Sequence, residues 1–388
     1  MSRSTPTAAD QEIRSIAERC VMCGLCLPHC PSYRVARQEA ESPRGRLALM
    51  ARIAAGELDG SRQPTLDTCL GCGQCEPVCP AQVPFLRALT LTRSTHAPAT
   101  ETAMGWAARR LAQSSRLSRT LLRALILSRR HLPQRWRGRL NLDGLARLKC
   151  ADQPPPARVE PEVPSAGRSL VVLCGCGGDS METRAISALQ HIAVVARVGL
   201  RIERATCCGA LAAHLGHTQH LRAPELGQSE DVAVINSGCT AHWRGRLAPV
   251  EVAGIADCLE RLIRTLGPRL RHRAARVAMH FPCSQRGIAG EAAALERLLR
   301  LLPGVELVGI PAQPGCCGAA GTYFLNQPEI SRQLAQEMTA AIAALRVDLV
   351  VSCNGGCRAQ LGQSLHEVGS PLPVLHPAEL VALHLATD

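Results

Sequence analysis

The run Cys20-x2-Cys23-x2-Cys26-x3-Cys30-Pro31 returns 49 residues later as Cys69-x2-Cys72-x2-Cys75-x3-Cys79-Pro80. Eight thiols at this spacing leave few options for the first hundred residues. Three cysteines set three apart on a tight loop converge on one point, and soft thiolate sulfur suits iron. Pro31 and Pro80 then turn the chain away, while Gly24, Gly71 and Gly73 permit torsions and close backbone approach that a side chain would obstruct. The pattern is that of a two-cluster ferredoxin, in which the fourth cysteine of each run ligates the other cluster. On that rule Cys20, Cys23, Cys26 and Cys79 hold one [4Fe-4S] cluster, and Cys69, Cys72, Cys75 and Cys30 hold the second. Zinc sites usually take their ligands as two separated pairs, and a disulfide scaffold needs an oxidising compartment, so neither fits as well.

The remaining composition agrees with a reducing compartment. The chain has 388 residues and 20 cysteines. Its first residues, MSRSTPTAADQEIRSIAERC, hold no apolar signal core, and no long apolar run follows, so the expected location is the cytoplasm. The net charge of +12 suggests nucleic acid at first sight. Residues 104–150, however, carry twelve Lys or Arg against the single acid Asp143, which accounts for +11 of that charge. Aromatic residues are only 2%, which leaves few stacking platforms, and no nucleic-acid partner is expected. Within the basic stretch Leu117, Leu121, Leu122, Leu125 and Ile126 recur at helical spacing. Such a helix suits peripheral contact with the cytoplasmic face of an anionic membrane or a partner protein, and equally suits a linker helix packed on its own protein by its leucines.

Residues 1–100 read as helical, for instance Gln11–Glu18 and Arg44–Ala55, with little strand signal. Residues 101–167 comprise the basic amphipathic segment and a linker marked by Pro154, Pro155, Pro156, Pro161 and Pro164. The chain then repeats itself. Apolar runs Ser169–Leu173 and Arg276–Phe281 each lead to a helix, a second strand, a Cys-Cys-Gly, another helix and a third strand, Val232–Asn236 or Asp348–Ser352. Alternation of this kind implies parallel sheets. The predicted fold class is therefore α+α/β: an all-helical dicluster domain followed by two tandem α/β lobes, 168–268 and 269–388. Cys174 precedes Cys207 by 33 residues, and Cys283 precedes Cys316 by the same 33. In each lobe the strand-end cysteine, the Cys-Cys-Gly and a later cysteine (Cys239, or Cys353 and Cys357) fall at strand ends or helix starts, where α/β folds bind ligands. A glycine-assisted turn lets adjacent cysteines face one site, and a helix start favours thiolate. Single residues such as Cys150 and Cys258 are explained as buried structural thiols.

Two ferredoxin motifs followed by two Cys-Cys-Gly (CCG) domains resemble the iron–sulfur subunit of bacterial glycolate oxidase, with relatives among the subunits of heterodisulfide reductase and of anaerobic glycerol-3-phosphate dehydrogenase. The resemblance covers nearly the whole chain. It is carried by Ser42-Pro43-Arg44-Gly45-Arg46, by Ser237-Gly238-Cys239, by His280-Phe281-Pro282-Cys283, and by Gly315-Cys316-Cys317-Gly318-Ala319-Ala320-Gly321-Thr322-Tyr323. It implies an electron-transfer subunit of a flavin-linked glycolate or D-lactate dehydrogenase, with FAD on partner subunits and a quinone or other acceptor downstream. It also implies additional iron–sulfur clusters at Cys174, Cys207, Cys208 and Cys239, and at Cys283, Cys316, Cys317 and Cys357, with Cys353 a further candidate. The chain departs from the family's closing Cys-x2-Cys: the first copy reads Cys239-Thr240-Ala241-His242 and the second Cys353-x3-Cys357. His242 stands where a cysteine would, and imidazole also binds iron. Cys176 is the other candidate for the missing sulfur. No Gly-x-Gly-x2-Gly follows a strand, so no flavin or nicotinamide site is expected on this chain and it is not expected to catalyse alone. A heterodisulfide-reductase-like or glycerol-3-phosphate-dehydrogenase-like electron carrier is the alternative.

Overall fold

The protein is described from a computed structural model over residues 6–112, 124–148, 169–175, 181–204, 207–217, 224–227, 230–266, 269–286, 290–311, 315–370 and 372–386. The Pro-rich linker, Cys150, Cys176 and the leucines at 117, 121 and 122 lie outside these residues. The chain divides into two compact units, each assembled from separate stretches. The first comprises Met1–Arg109, Gly209–His220 and Pro314–Leu334; the second comprises Arg110–Cys208, Leu221–Gln313 and Ala335–Asp388.

Helices Ala8–Glu18, Pro43–Ala54 and Phe85–Thr95 form the core of the first unit, and no strand occurs among its described residues. Their apolar faces bury Ile13, Leu47, Met50, Ile53, Phe85 and Leu89 together. The helix starts follow from sequence. Thr7 caps the first helix in a reciprocal capping box with Asp10, which satisfies amide groups that the helix itself leaves unbonded. Ser42 caps the second, its Oγ accepting from the Gly45 amide at 2.9 Å, and Pro43 occupies the first turn, where its missing N–H costs nothing.

The second unit contains two parallel four-stranded sheets. The first has the order β2-β1-β3-β4, with β1 Ser169–Leu173, β2 Gly199–Glu203, β3 Glu230–Val234 and β4 Val252–Gly254. The second repeats it as β6-β5-β7-β8, with β5 Ala275–Met279, β6 Val305–Gly309, β7 Leu349–Val351 and β8 Val374–Leu375. The central strand pairs in matching register in both copies, Val171 with Arg201 and Val232, and Val277 with Leu307 and Leu349. One continuous apolar core, from Leu170 and Ile186 to Leu299 and Leu385, serves both sheets. Glu182 and Glu379 flank the fully buried Arg358 within it.

Part of the basic stretch is packed against the second sheet's layer. The helix Leu142–Arg147 lies on the helix Gly355–Glu367, with the Gly144 amide donating to Gln363 Oε1 at 2.9 Å. A Cβ on Gly144 would overlap the Ala359 carbonyl oxygen. Ile126, Leu142, Ala146 and Leu148 are buried. These apolar positions therefore face protein. No helix among the described residues is long and apolar enough to cross a membrane.

Candidate iron–sulfur sites

Both cysteine runs lie on loops that the helices of the first unit hold at their ends. Cys30, Cys69, Cys72 and Cys75 line one cavity with Pro31, Ser32, Pro43, Arg46, Gly73 and Phe85. This set joins the fourth cysteine of the first run to the first three of the second. Burial, together with the neighbouring Cys72, Cys69 and Cys30 thiols, pushes the Cys75 thiol far up; burial also raises Cys26, whose thiol neighbours are Cys20 and Cys30. Thiols this close resist shared ionisation unless a cation joins them. Four soft donors around one cavity are the donor set an iron–sulfur centre needs, and the residues fit that group. Cys20, Cys23 and Cys26 lie on the other loop, Cys23 exposed. The segment after Cys79 is tied to the start of that loop, since Arg19 donates to the Ala81 and Gln82 carbonyls at 3.3 and 3.0 Å.

The segment Ser42-Pro43-Arg44-Gly45-Arg46 explains itself residue by residue. Arg44 reaches the first loop, donating to the Met22 carbonyl at 2.7 Å while paired with Glu39. Gly45 passes so close to the Glu39 carbonyl that a Cβ would overlap it. Arg46 is fully buried. It donates to Ser32 Oγ at 2.9 Å, Thr65 O at 2.6 Å, Thr68 Oγ1 at 2.9 Å and the Cys30 sulfur at 3.8 Å, and it pairs with Glu41. One side chain thus fixes both cysteine loops. Nothing local in the sequence marks it as buried, because arginine usually stays in water.

Short stretches from far along the chain complete the second loop. His214 Nε2 bonds the Leu70 carbonyl at 2.6 Å, Tyr323 donates to the Thr68 carbonyl at 2.9 Å, and Gln74 donates to the Gly315 carbonyl at 3.2 Å. Arg93 is buried and donates to the Leu66, Cys69 and His214 carbonyls at 2.6, 3.0 and 2.6 Å. Cys316 and Cys317 are buried within this same unit, where the Gly318 amide donates to the Cys316 sulfur at 3.4 Å.

The other CCG cysteines belong to the second unit. Cys174 is buried at the end of β1, and Cys239 Sγ lies near Gly175, 3.4 Å from where a Cβ would stand. Cys208 is buried beside half-buried Cys207. Gly209 follows at φ +81° as the cap of the helix Ala210–His214, the glycine-assisted turn expected there. In the second copy Gly318 also has φ +79°, but the next helix begins only at Tyr323. Asn236 caps the helix carrying Cys239, and Asn354 caps the helix carrying Cys357, whose amide it accepts at 3.0 Å. Cys357 is therefore the structural counterpart of Cys239. Cys353 takes the place of Ile235, buried in the core, with Gln285 Nε2 at 3.6 Å from its sulfur. Cys283 is half-buried at the start of the helix Cys283–Arg286. His242 is exposed on its helix. Cys258 is buried in the apolar core, which pushes its thiol up to about 12, as suits a structural residue.

His280 was not singled out as a site residue from sequence, although its place before Pro-Cys at a strand end was a signal. It is buried, its Nδ1 bonds Ser352 Oγ at 3.0 Å, and a ring nitrogen comes within 4.8 Å of the Cys357 sulfur. Burial, with Arg286 nearby, lowers its pKa to about 3, so the ring is neutral and able to offer a lone pair.

Comparison with known proteins finds relatives of both kinds of region. A family model described as "4Fe-4S dicluster domain" matches residues 16–83, and one described as "Cysteine-rich domain" matches residues 277–362. The glycolate oxidase iron-sulfur subunit of Escherichia coli K12 is 26% identical, with 91% of each chain covered. The probable glycolate oxidase iron-sulfur subunit of Bacillus subtilis 168 is 25% identical, covering 93% of this chain and 92% of the relative. Lactate utilization protein A of Geobacillus thermodenitrificans is 32% identical over 27% of this chain and 44% of its own length. Among solved structures, a glutamate racemase of Bacillus anthracis aligns with a TM-score of 0.26 and 12% identity, over 56% of this chain and 79% of that one. The chain is a homologue of glycolate oxidase iron–sulfur subunits, with a dicluster domain and a CCG domain.

Proposed function

We propose that this chain is the electron-transfer subunit of a flavin-linked 2-hydroxyacid dehydrogenase. A partner subunit oxidises glycolate to glyoxylate, or D-lactate to pyruvate, at FAD; the two electrons released pass one at a time through this chain to a quinone or other acceptor. Cys20, Cys23, Cys26 and Cys79 would hold one [4Fe-4S] cluster and Cys30, Cys69, Cys72 and Cys75 the other. Such centres supply one-electron transfer without making or breaking bonds in the substrate. The observation that carries the reading is the cavity lined by cysteines of both runs, in a chain that aligns with glycolate oxidase iron–sulfur subunits over nine-tenths of its length. Further clusters are proposed at Cys174, Cys207, Cys208 and Cys239, and among Cys283, Cys316, Cys317, Cys353 and Cys357. We place the complex in the cytoplasm, with exposed Arg130 of the basic stretch turned to solvent, where an anionic membrane surface could meet it.

The test is anaerobic co-purification with the flavoprotein subunits, followed by iron analysis and glycolate- and D-lactate-dependent dye reduction. About eight irons per chain are expected from the ferredoxin cysteines alone, and an excess if the CCG sites are loaded. Substituting Cys30→Ser should deplete the cluster of the second run, and Cys79→Ser that of the first. A complex inactive on both acids, or equally active without this chain, refutes the proposal.

A further inference from the structure

We propose that Arg46 and Arg93 make the centre held by Cys30, Cys69, Cys72 and Cys75 the higher-potential member of the pair, so that an electron entering the first unit comes to rest there. The inference rests on the reading that both cysteine sets carry clusters.

Two guanidinium groups lie inside the protein beside this one set. Arg46 has 0% of its surface exposed and points Nη1 at the Cys30 sulfur. Its charge is matched by Glu41, so it acts as a dipole whose positive end faces the sulfur. Arg93 has 2% exposed and is different. It donates only to carbonyl oxygens, one of them that of Cys69, its Nε has no hydrogen-bond partner, and no carboxylate pairs with it among the described residues. The Asp67 carboxylate attracts it through space without bonding to it. A buried cation without a bonded counter-charge is costly, and arginine does not escape by losing its proton. A negatively charged group held by Cys69 and its neighbours supplies the missing charge. A cubane bound by four thiolates is such a group, and its negative charge grows when it accepts an electron.

Among the described residues the first cysteine set lacks this. The arginines that reach its loop are Arg44, paired with Glu39 and about a quarter exposed, and exposed Arg19. Solvent screens both. Burial of Cys30 and Cys69 works against the inference, since loss of water disfavours the more negative state. A unit charge with no bonded counter-ion, hydrogen-bonded to a ligand's own carbonyl, acts at shorter range and in lower dielectric than the water it replaces, and outweighs that loss. The step is a one-electron transfer from the reduced flavin of a partner subunit. No bond changes, and both arginines stay cationic throughout.

The experiment is an EPR-monitored redox titration, with dithionite as reductant, of the full-length chain purified anaerobically. Cys23→Ser and Cys72→Ser assign the two signals. Arg93→Gln should lower the higher midpoint by at least tenfold in the reduced-to-oxidised ratio, about 59 mV for one electron, and leave the lower one in place. Arg93→Lys should restore most of the shift. Glu41→Gln, which strips Arg46 of its counter-charge, should move the same midpoint upward, a sign that general loosening does not produce. If Arg93→Gln cannot hold iron, the direction seen with Glu41→Gln decides. The inference is overturned if the Cys72→Ser signal belongs to the lower midpoint, if Glu41→Gln lowers the higher midpoint, or if about eight irons are retained and neither midpoint responds. About four irons in the unaltered chain would refute the two-cluster reading itself.

Discussion

Replacing Gly71 by alanine tests how closely the second cysteine loop is moulded to the segment that follows the first Cys-Cys-Gly. Gly71 sits at φ +60°, and an added Cβ would collide with His214 Nε2 and lie 2.6 Å from its Cδ2. Two costs arise. Alanine in the left-handed region costs about 1–2 kcal/mol. The imidazole must then move and give up its bond to the Leu70 carbonyl, which adds about 0.5–1.5 kcal/mol. The sum is roughly 2–3 kcal/mol. Gly56 is the control, because it has a similar φ of +71° but nothing within 4 Å of the new methyl. Gly56→Ala should therefore cost only the backbone part, about 1–2 kcal/mol. In the double variant Gly71→Ala/His214→Ala the collision is gone, so the pair should cost less than the sum of its singles by about 1 kcal/mol. Urea midpoints of the anaerobic protein, at unchanged slope, measure all four variants, and iron content shows whether the loop still holds its centre. Equal losses for Gly71→Ala and Gly56→Ala, or strict additivity in the double variant, would refute the packing argument.

Two further predictions concern stability. Arg358 is buried between Glu182 and Glu379, and burial already pushes the Glu182 carboxyl up while Arg358 pulls it down; Arg358→Ala leaves the Glu182 carboxylate unmatched, while Glu379 keeps Arg184, and should cost about 3–5 kcal/mol, read from the same urea midpoints. For Asp10, burial raises the carboxyl, but its bonds to the Thr7 hydroxyl and amide and to the His96 ring outweigh that and hold it below its usual 3.8. A depressed carboxyl contributes stability above the unfolded value and loses it as pH falls through the folded one. Unfolding midpoints between pH 6 and pH 2.5 should therefore show an acid loss that Asp10→Asn flattens, and Thr7→Ala should cost about 1 kcal/mol at neutral pH.

The cysteines were legible because ligand chemistry dictates their spacing, whatever surrounds them. Four strands were legible because apolar runs such as Ser169–Leu173 sit between helical stretches; β1 has those very bounds. Strands β4 and β8 were not, since three and two residues are too short to show a period. Nor was the burial of Arg46 and Arg93, which depends on carbonyls brought together from several loops. The basic stretch fitted two readings by its leucine spacing; Ile126 and Leu142 are buried against protein, and neighbouring arginines such as Arg130 remain exposed. The resemblance already set Cys357 opposite Cys239, with Cys353 as a further candidate; the capping asparagines Asn236 and Asn354 supply the structural reason, which the cysteine spacing alone does not show.

The first unit draws on three stretches of chain, and this governs the order in which it can be made. Its second cysteine loop is closed by His214, 144 residues after Leu70, and by Tyr323, 255 residues after Thr68. A ribosome that has released only the first hundred residues has delivered all eight ferredoxin cysteines and none of these closures. Contacts so distant in sequence form late, because the ends of a long loop must find each other before anything rewards them. During synthesis the second loop thus waits for His214 and then Tyr323 to emerge before its Leu70 and Thr68 carbonyls are met. A fragment ending near residue 110 would keep the whole double motif yet present it as a nascent chain does, with the Thr68 and Leu70 carbonyls unmet.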